Sequence, residues 1–267
     1  NKKKANSGNG GCPFFKGLID RLGEVESYCH NSFPTSNELD RFCEDRNICP
    51  YETKKMLLKN VDVIVAPYVH ILSDDIRDGF LGNMESDGSD IVIIVDEAHN
   101  IIDAAREQES YTIDIKLIEA AIDESTTMKG DPPLFDNVTL MPFVKEMKNI
   151  LRSLANEKIT LTKKECLIAN DEIENRLGQK FELNRNELEI AIDRMISLGE
   201  DRTEALMEKG ENRISDIYTL GSDLKDWIMS PHDKYIKSVK VDEDGESLHA
   251  ACIDPFDVTT FLRRTKS

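Results

Sequence analysis

The sequence predicts an α/β protein: part of a parallel sheet, interrupted first by a small cysteine-organised region and then by a helical block. Three observations predict it. Residues 62–68 (DVIVAPY) and 90–95 (DIVIIV) are short, β-branched and apolar at successive positions, as strands buried on both faces of a parallel sheet are. Four of the six cysteines, Cys12, Cys29, Cys43 and Cys49, fall within the first fifty residues. Apolar stripes at helical spacing recur from about residue 106 to 229.

Taken in order, residues 1–11 are rich in Lys, Asn and Gly, which is loop composition. From Cys12 to Cys49 the pattern is short and irregular, as a region organised by a metal would be. A helix is expected over 50–59, with Pro50 at its first position and Met56, Leu57 and Leu58 on its buried side. The first apolar run follows, then a short helix and loop over 73–89, then the second run. Beyond Asn100 the stripes are Ile115, Ile118 and Ile122; Phe143, Met147, Ile150, Leu151 and Leu154; Leu188, Ile192, Met195 and Ile196, stopped by Gly199; and Ile217, Leu220, Leu224, Trp227 and Ile228, ended near Pro231. Residues 235–241 alternate, a turn rich in Asp and Gly follows, and 247–253 form a second run. That is a hairpin signal, through which the chain is expected to return to the sheet.

The bulk properties set bounds. Hydrophobic content of 39% and charged content of 32% fit a globular protein. No run of eighteen apolar residues and no signal peptide occur, so a cytoplasmic protein without membrane contact is expected. In that compartment the cysteine cluster reads as a metal site rather than a set of disulfides, whereas Cys166 and Cys252 read as plain buried residues. A net charge of −17 argues against nucleic acid when taken alone, yet a basic channel can run through an acidic body. The chain begins at Asn1 and ends at Ser267 without a terminating signal, and a fragment of a longer protein is expected.

The chemistry concentrates at Asp96 and Glu97, directly after the apolar residues 91–95. The carboxyl ends of parallel strands face the crevice where ligands bind. In P-loop NTPases an acid at that place holds the Mg²⁺ of ATP, and a second acid can orient the attacking water. A bare Asp-Glu pair could also open a helix, with Asp96 as N-cap. The full string IVIIVDEAHN, however, resembles the DEAH (Walker B) motif of superfamily 2 helicases. By that resemblance Asp96 is the Mg²⁺ ligand, Glu97 the catalytic base and His99 the residue coupling the nucleotide site to a neighbouring motif.

Upstream, Cys49-Pro50-Tyr51-Glu52, a helix and DVIVAPYVHIL resemble the segment joining the cluster region to the motor in the archaeal XPD-type iron–sulfur DNA helicases. The resemblance is specific over 12–100 and rests on helical character over the block that follows. It implies a [4Fe–4S] cluster with Cys12 and Cys49 as its third and fourth ligands and the first two ligands upstream of Asn1. It also implies ATP and Mg²⁺ as cofactors, 5′→3′ movement on single-stranded DNA, forked DNA as substrate, a role in DNA repair and a monomeric protein. The domains it implies are a cluster domain over 1–57, the first part of a RecA-like motor domain over 58–105, an all-helical arch over 106–229 and a return to the motor over 230–267. Phe14, Phe15 and Tyr51 are candidates to stack on bases or to pack around the cluster; Lys2–Lys4, Lys54 and Lys55 are candidate phosphate contacts.

The cysteines keep other readings open beside the implied Cys12 with Cys49: on the residues alone, a local set of Cys12, Cys29, Cys43 and Cys49, or no metal at all; and by a resemblance to DinG-like relatives, Cys43 with Cys49 as the last two ligands. No G-x-x-x-x-G-K-[ST] loop occurs in the 267 residues, so the chain by itself is expected not to hydrolyse ATP. The reading from a different class is a non-enzymatic, metal-organised binding module.

Overall fold

Proline at the first helical position opens two helices here, α1 (Pro13–Asp20) and α4 (Pro50–Leu57), where its missing N–H costs nothing. The structure, a computed structural model, describes residues 12–86, 88–211 and 213–255. They fall into two compact units, one running to Ala98 and the other starting at His99.

The first unit is helical. Between α1 and α4 lie α2 (Leu22–Ser32) and α3 (Ser36–Glu44), the latter opened by a capping box in which Thr35 and Glu38 satisfy each other's backbone N–H groups. These helices close over a small core of Leu18, Val25, Leu39, Cys43 and Ile48. A 3₁₀ turn, Leu58–Asn60, prolongs α4, so the expected helix over 50–59 forms with a tighter end. Its expected buried side is different: Thr53 is buried, while Met56 is exposed and Leu57 and Leu58 are half-buried. Further on come α5 (Val69–Leu72) and α6 (Asp74–Met84).

The two apolar runs differ from expectation. Residues 63–67 and 91–95 carry no regular secondary structure, and no strand ladder is described in the first unit. Val65 is 96% and Ile94 90% exposed, so these side chains are not buried on both faces. A parallel strand reaches that state only when neighbours pair with both edges and helices cover both faces. Among the described residues no such layers surround these segments.

The second unit mixes helices with an antiparallel sheet. Helix α7 (Ile101–Glu109) leads into β1 (Tyr111–Asp114) and α8 (Ile115–Thr126); a small hairpin, β2 (Pro133–Phe135) and β3 (Val138–Thr139), precedes α9 (Leu140–Lys158). Then come β4 (Glu165–Leu167), α10 (Glu172–Phe181), α11 (Arg185–Glu208), α12 (Asp216–Met229), β5 (Tyr235–Asp242) and β6 (Gly245–Cys252). The expected stripes become one core: Ile118, Phe143, Met147, Leu154, Met195, Ile217, Leu224 and Trp227 are all essentially inaccessible. The expected hairpin is β5–β6, with Asp242 paired to Gly245 across the turn.

Three expectations are corrected here. The hairpin does not enter a parallel sheet; it forms the centre of a four-stranded antiparallel sheet in the order β1-β6-β5-β4. The block expected to be all-helical supplies β1 and β4 to that sheet, because two short segments pair with the long hairpin's free edges. Gly199 does not stop its helix, since α11 runs on to Glu208. A Cβ at Gly199 would lie 2.7 Å from the Cβ of Tyr218 and overlap that residue's backbone, so the glycine is what lets α11 and α12 cross closely.

Gly199→Ala is therefore expected to destabilise the unit by about 2 kcal/mol, although Ala is worth roughly 1 kcal/mol more than Gly in a helix interior. Urea unfolding followed by circular dichroism checks it, and a variant more stable than wild type would contradict the close crossing.

Two buried charges brace this unit. The Lys237 ammonium, almost fully buried, donates to the carbonyl oxygens of Asn170 (3.0 Å) and Trp227, closing the C-terminal end of α12. Burial pushes its pKa down to about 8. The buried Glu124 carboxylate, on α8, accepts from Ser215 Oγ (2.7 Å) and from the backbone N–H of Ile217 (3.0 Å). It thus stands at the N-terminus of α12, where the helix dipole favours negative charge.

Candidate functional site

Residues 91–95 lead into a sharp turn at Asp96 and Glu97. Ile91, Ile93 and Val95 are half-buried, while Val92 and Ile94 face solvent, so the segment keeps the period of two that an extended chain imposes. Glu97 adopts φ 49°, the left-handed region. For a residue with a Cβ that costs roughly 1–2 kcal/mol, and such strain concentrates at functional turns. The Glu97 N–H donates to Asp96 Oδ1 at 3.0 Å. A 3₁₀ turn, Ala98–Asn100, follows and carries the exposed His99.

This geometry decides against the simple helix start. Helix α7 begins at Ile101 with Asn100 as its N-cap. The Asp96 carboxylate holds the next residue's N–H rather than a first-turn N–H of that helix. Both carboxylates stand at the surface, on a turn that projects from the end of the apolar run.

Tyr68 was not anticipated. Its hydroxyl donates to the carbonyl oxygen of Asp96 and lies 3.3 Å from that of Glu97. The first apolar run thereby reaches the turn that ends the second. The available signal was the polar-tipped aromatic closing DVIVAPY, but a tyrosine after proline has many uses. Which backbone carbonyls its hydroxyl meets is a matter of tertiary contact.

The two Cys-Pro sequences form matching helix starts. Cys12 (φ −70°, ψ 116°) and Cys49 (φ −75°, ψ 110°) are the N-cap residues of α1 and α4, and neither thiol caps its own helix. The Cys49 N–H donates to the Phe14 carbonyl at 2.9 Å, which sets the two starts side by side. Gly17 makes the approach possible, because a Cβ there would overlap the Asn47 carbonyl oxygen. Both thiols are half-buried.

Cys43 is different: it is fully buried in the small core, with Thr53 Oγ1 3.8 Å from its sulfur. Cys29 packs against the same core. Burial pushes both thiols' pKa up. Among the described residues, no group of three or more His, Cys, Asp or Glu side chains is arranged to hold a metal ion. A [4Fe–4S] cluster takes four thiolates. The described residues offer two half-buried ones at adjoining helix starts, which is half a set. Of the remaining cysteines, Cys252 is buried as expected, but Cys166 is half-exposed on β4, with Lys163 Nζ 3.2 Å from its sulfur.

Of the expected DNA contacts, Lys54 pairs with Asp40 at 2.6 Å and Lys55 lies over the Tyr51 ring at 4.5 Å. Phe14 and Tyr51 are exposed, Phe15 is half-buried, and Lys2–Lys4 lie outside the described residues. No helix among the described residues is long and apolar enough to cross a membrane.

Comparison with known proteins bears on the first part of the chain. Residues 1–118 match the DEAD_2 family model. The chain is 27% identical over 119 residues to a protein of Neosartorya fischeri named ATP-dependent DNA helicase chl1, a match covering 43% of this chain and 13% of that protein. It is 37% identical over 76 residues to the Fanconi anemia group J protein homolog of Gallus gallus, covering 28% of this chain and 6% of the relative. To the general transcription and DNA repair factor IIH helicase subunit XPD/RAD3 of Saccharomyces cerevisiae it is 28% identical over 78 residues, covering 29% and 10%. The chain thus spans only a small part of the length of each relative.

Proposed function

We propose that this chain is part of an ATP-dependent DNA helicase of the XPD type, in which Asp96 and Glu97 supply half of the ATP-hydrolysing site. The observation that carries the reading is the turn after residues 91–95. Two adjacent carboxylates stand exposed there on a strained backbone, with Tyr68 bonded to their carbonyl oxygens, inside the segment that matches DEAD_2. Asp96 would hold Mg²⁺ on the phosphates of ATP, and Glu97 would take the proton of the attacking water. The 3₁₀ turn that carries His99 would couple this site to a neighbouring motif.

In this reading Cys12 and Cys49 are two of the four ligands of a [4Fe–4S] cluster, and the helices after them belong to the cluster domain. The helical block after the DEAH turn is the arch, and the strand that passes it is single-stranded DNA next to a fork, with movement 5′→3′ and a role in repair. The named activities of the relatives and the position of the Cys-Pro helix starts support this reading.

The test is DNA-stimulated ATP hydrolysis. The full-length protein containing this chain is expected to hydrolyse ATP faster when single-stranded DNA is added. The 267 residues alone, which contain no G-K-[ST] loop, are expected to show no turnover above a Glu97→Gln control. A full-length protein with no ATPase would sink the reading, and turnover by the isolated chain would show that a complete site lies within it.

A further inference from the structure

The Tyr68 hydroxyl reaches the DEAH turn from 28 residues earlier in the chain. The two carbonyl oxygens it meets, those of Asp96 and Glu97, belong to consecutive peptide units. Each peptide unit is planar, and these two planes join at the Glu97 Cα. Their orientations set φ and ψ of Glu97, and with them the direction in which its side chain leaves the backbone. The first plane is bonded at both edges, since its N–H, that of Glu97, donates to Asp96 Oδ1.

The hydroxyl stands on a fixed base. The Tyr68 carbonyl accepts from the N–H groups of Ile71 and Leu72, both at 2.9 Å, so its backbone is the start of α5. Helix α5 is tied in turn to α6. Leu72 is 2% exposed, the His70 and Phe80 rings meet edge-on at 4.9 Å, and Arg77 donates to the Ile71 carbonyl at 3.1 Å.

Folding gains little from this contact. Both bonds lie at the surface, where water can serve the same carbonyls. Chemistry gains more. A general base must stand within hydrogen-bond reach of the proton it takes, and a misplacement of about 1 Å can cost 10²-fold. Glu97 at φ 49° has the less strained right-handed region open to it, and that change would aim its side chain elsewhere.

We propose that Tyr68 is the positioning residue of Glu97. By bonding the peptide units on either side of the Glu97 Cα, its hydroxyl aims the carboxylate at the water that attacks ATP. The inference rests on the ATP-hydrolysis reading above and adds to it the residue that directs its base.

The test uses the full-length protein and Tyr68→Phe, which keeps the ring and removes only the hydroxyl. The kcat of DNA-stimulated ATP hydrolysis is expected to fall about tenfold or more. The KM for ATP, the affinity for a fluorescent ATP analogue and the Mg²⁺ concentration giving half the maximal rate are expected to stay within about twofold. The melting temperature is expected to stay within about 2 °C of wild type. With Glu97→Gln already in place, single-turnover hydrolysis of radiolabelled ATP is expected to slow less than about twofold further, because no base is left to aim.

A Tyr68→Phe kcat within about twofold of wild type would overturn the proposal and leave the helicase reading intact. So would the same fold-loss in the Glu97→Gln background, which would show that the hydroxyl acts elsewhere. A variant that binds the ATP analogue about tenfold more weakly, or melts well below wild type, would overturn it by making Tyr68 a binding or a structural residue. A wild-type protein without ATPase activity would remove both.

Discussion

Replacing Glu97 by Gln in the full-length protein is expected to slow DNA-stimulated ATP hydrolysis by about 10²–10⁴-fold, the usual contribution of a positioned general base. The substitution keeps the side chain's shape and its capacity to accept a hydrogen bond, but an amide cannot take a proton from water. The backbone turn should survive, since the Tyr68 hydroxyl bonds the carbonyl oxygens of Asp96 and Glu97 and the Asp96 carboxylate holds the Glu97 N–H. ATP binding should change little, whereas Asp96→Asn should weaken Mg²⁺-ATP binding itself. Steady-state ATPase assays with a fluorescent-nucleotide titration separate the two. A Glu97→Gln enzyme within about threefold of wild-type turnover would remove Glu97 from the chemistry.

Glu124→Ala is expected to cost the second unit about 3–5 kcal/mol, the range for breaking a buried charge network by removing one partner. The carboxylate's side chain is 2% exposed, and it faces Arg202 Nε at 3.5 Å, itself 19% exposed. Without the carboxylate, Ser215 Oγ and the Ile217 N–H lose their acceptor at the start of α12, and the Arg202 guanidinium loses its charge partner, keeping only the Thr127 hydroxyl at 2.8 Å. Arg213 adds little, being 49% exposed and 3.9 Å away. Glu124→Gln should cost less, because the amide oxygen can still accept from Ser215 and Ile217. At about 2–4 °C per kcal/mol for a unit of this size, Glu124→Ala should melt roughly 10 °C earlier. Thermal and urea unfolding check it, and a loss under about 1 kcal/mol would mean the pair behaves as a surface ion pair.

Much of this protein was legible without coordinates, and the legible parts share one property: they are local. The stripes ending in Trp227 and Ile228 report which side of a helix is buried, since apolar residues three and four apart must share a face. The hairpin over 235–253 was visible because alternation and an Asp-Gly turn are both short-range signals. Likewise, the carboxylate pair after five apolar residues marked the candidate site, because the motif lies wholly within ten consecutive residues.

What the sequence alone determined, then, is the set of helical faces, the hairpin and the chemistry available at Asp96, Glu97, Cys12 and Cys49. Tertiary structure decided the rest. Pairing of β5 and β6 with Tyr111–Asp114 and Glu165–Leu167 made the sheet antiparallel, and nothing within a strand names its neighbour. Gly199 read as a helix stop because its local cost is the same whether the helix ends there or another helix crosses it; only the backbone of Tyr218 tells the two apart. Cys43 and Cys49 stand together in one reading of the cysteines, yet one is sealed in a core and the other opens a helix. The turn IVIIVDEAHN was legible as a candidate site, but not the Tyr68 hydroxyl that bonds it: partners distant along the chain are selected by the packing of the whole unit.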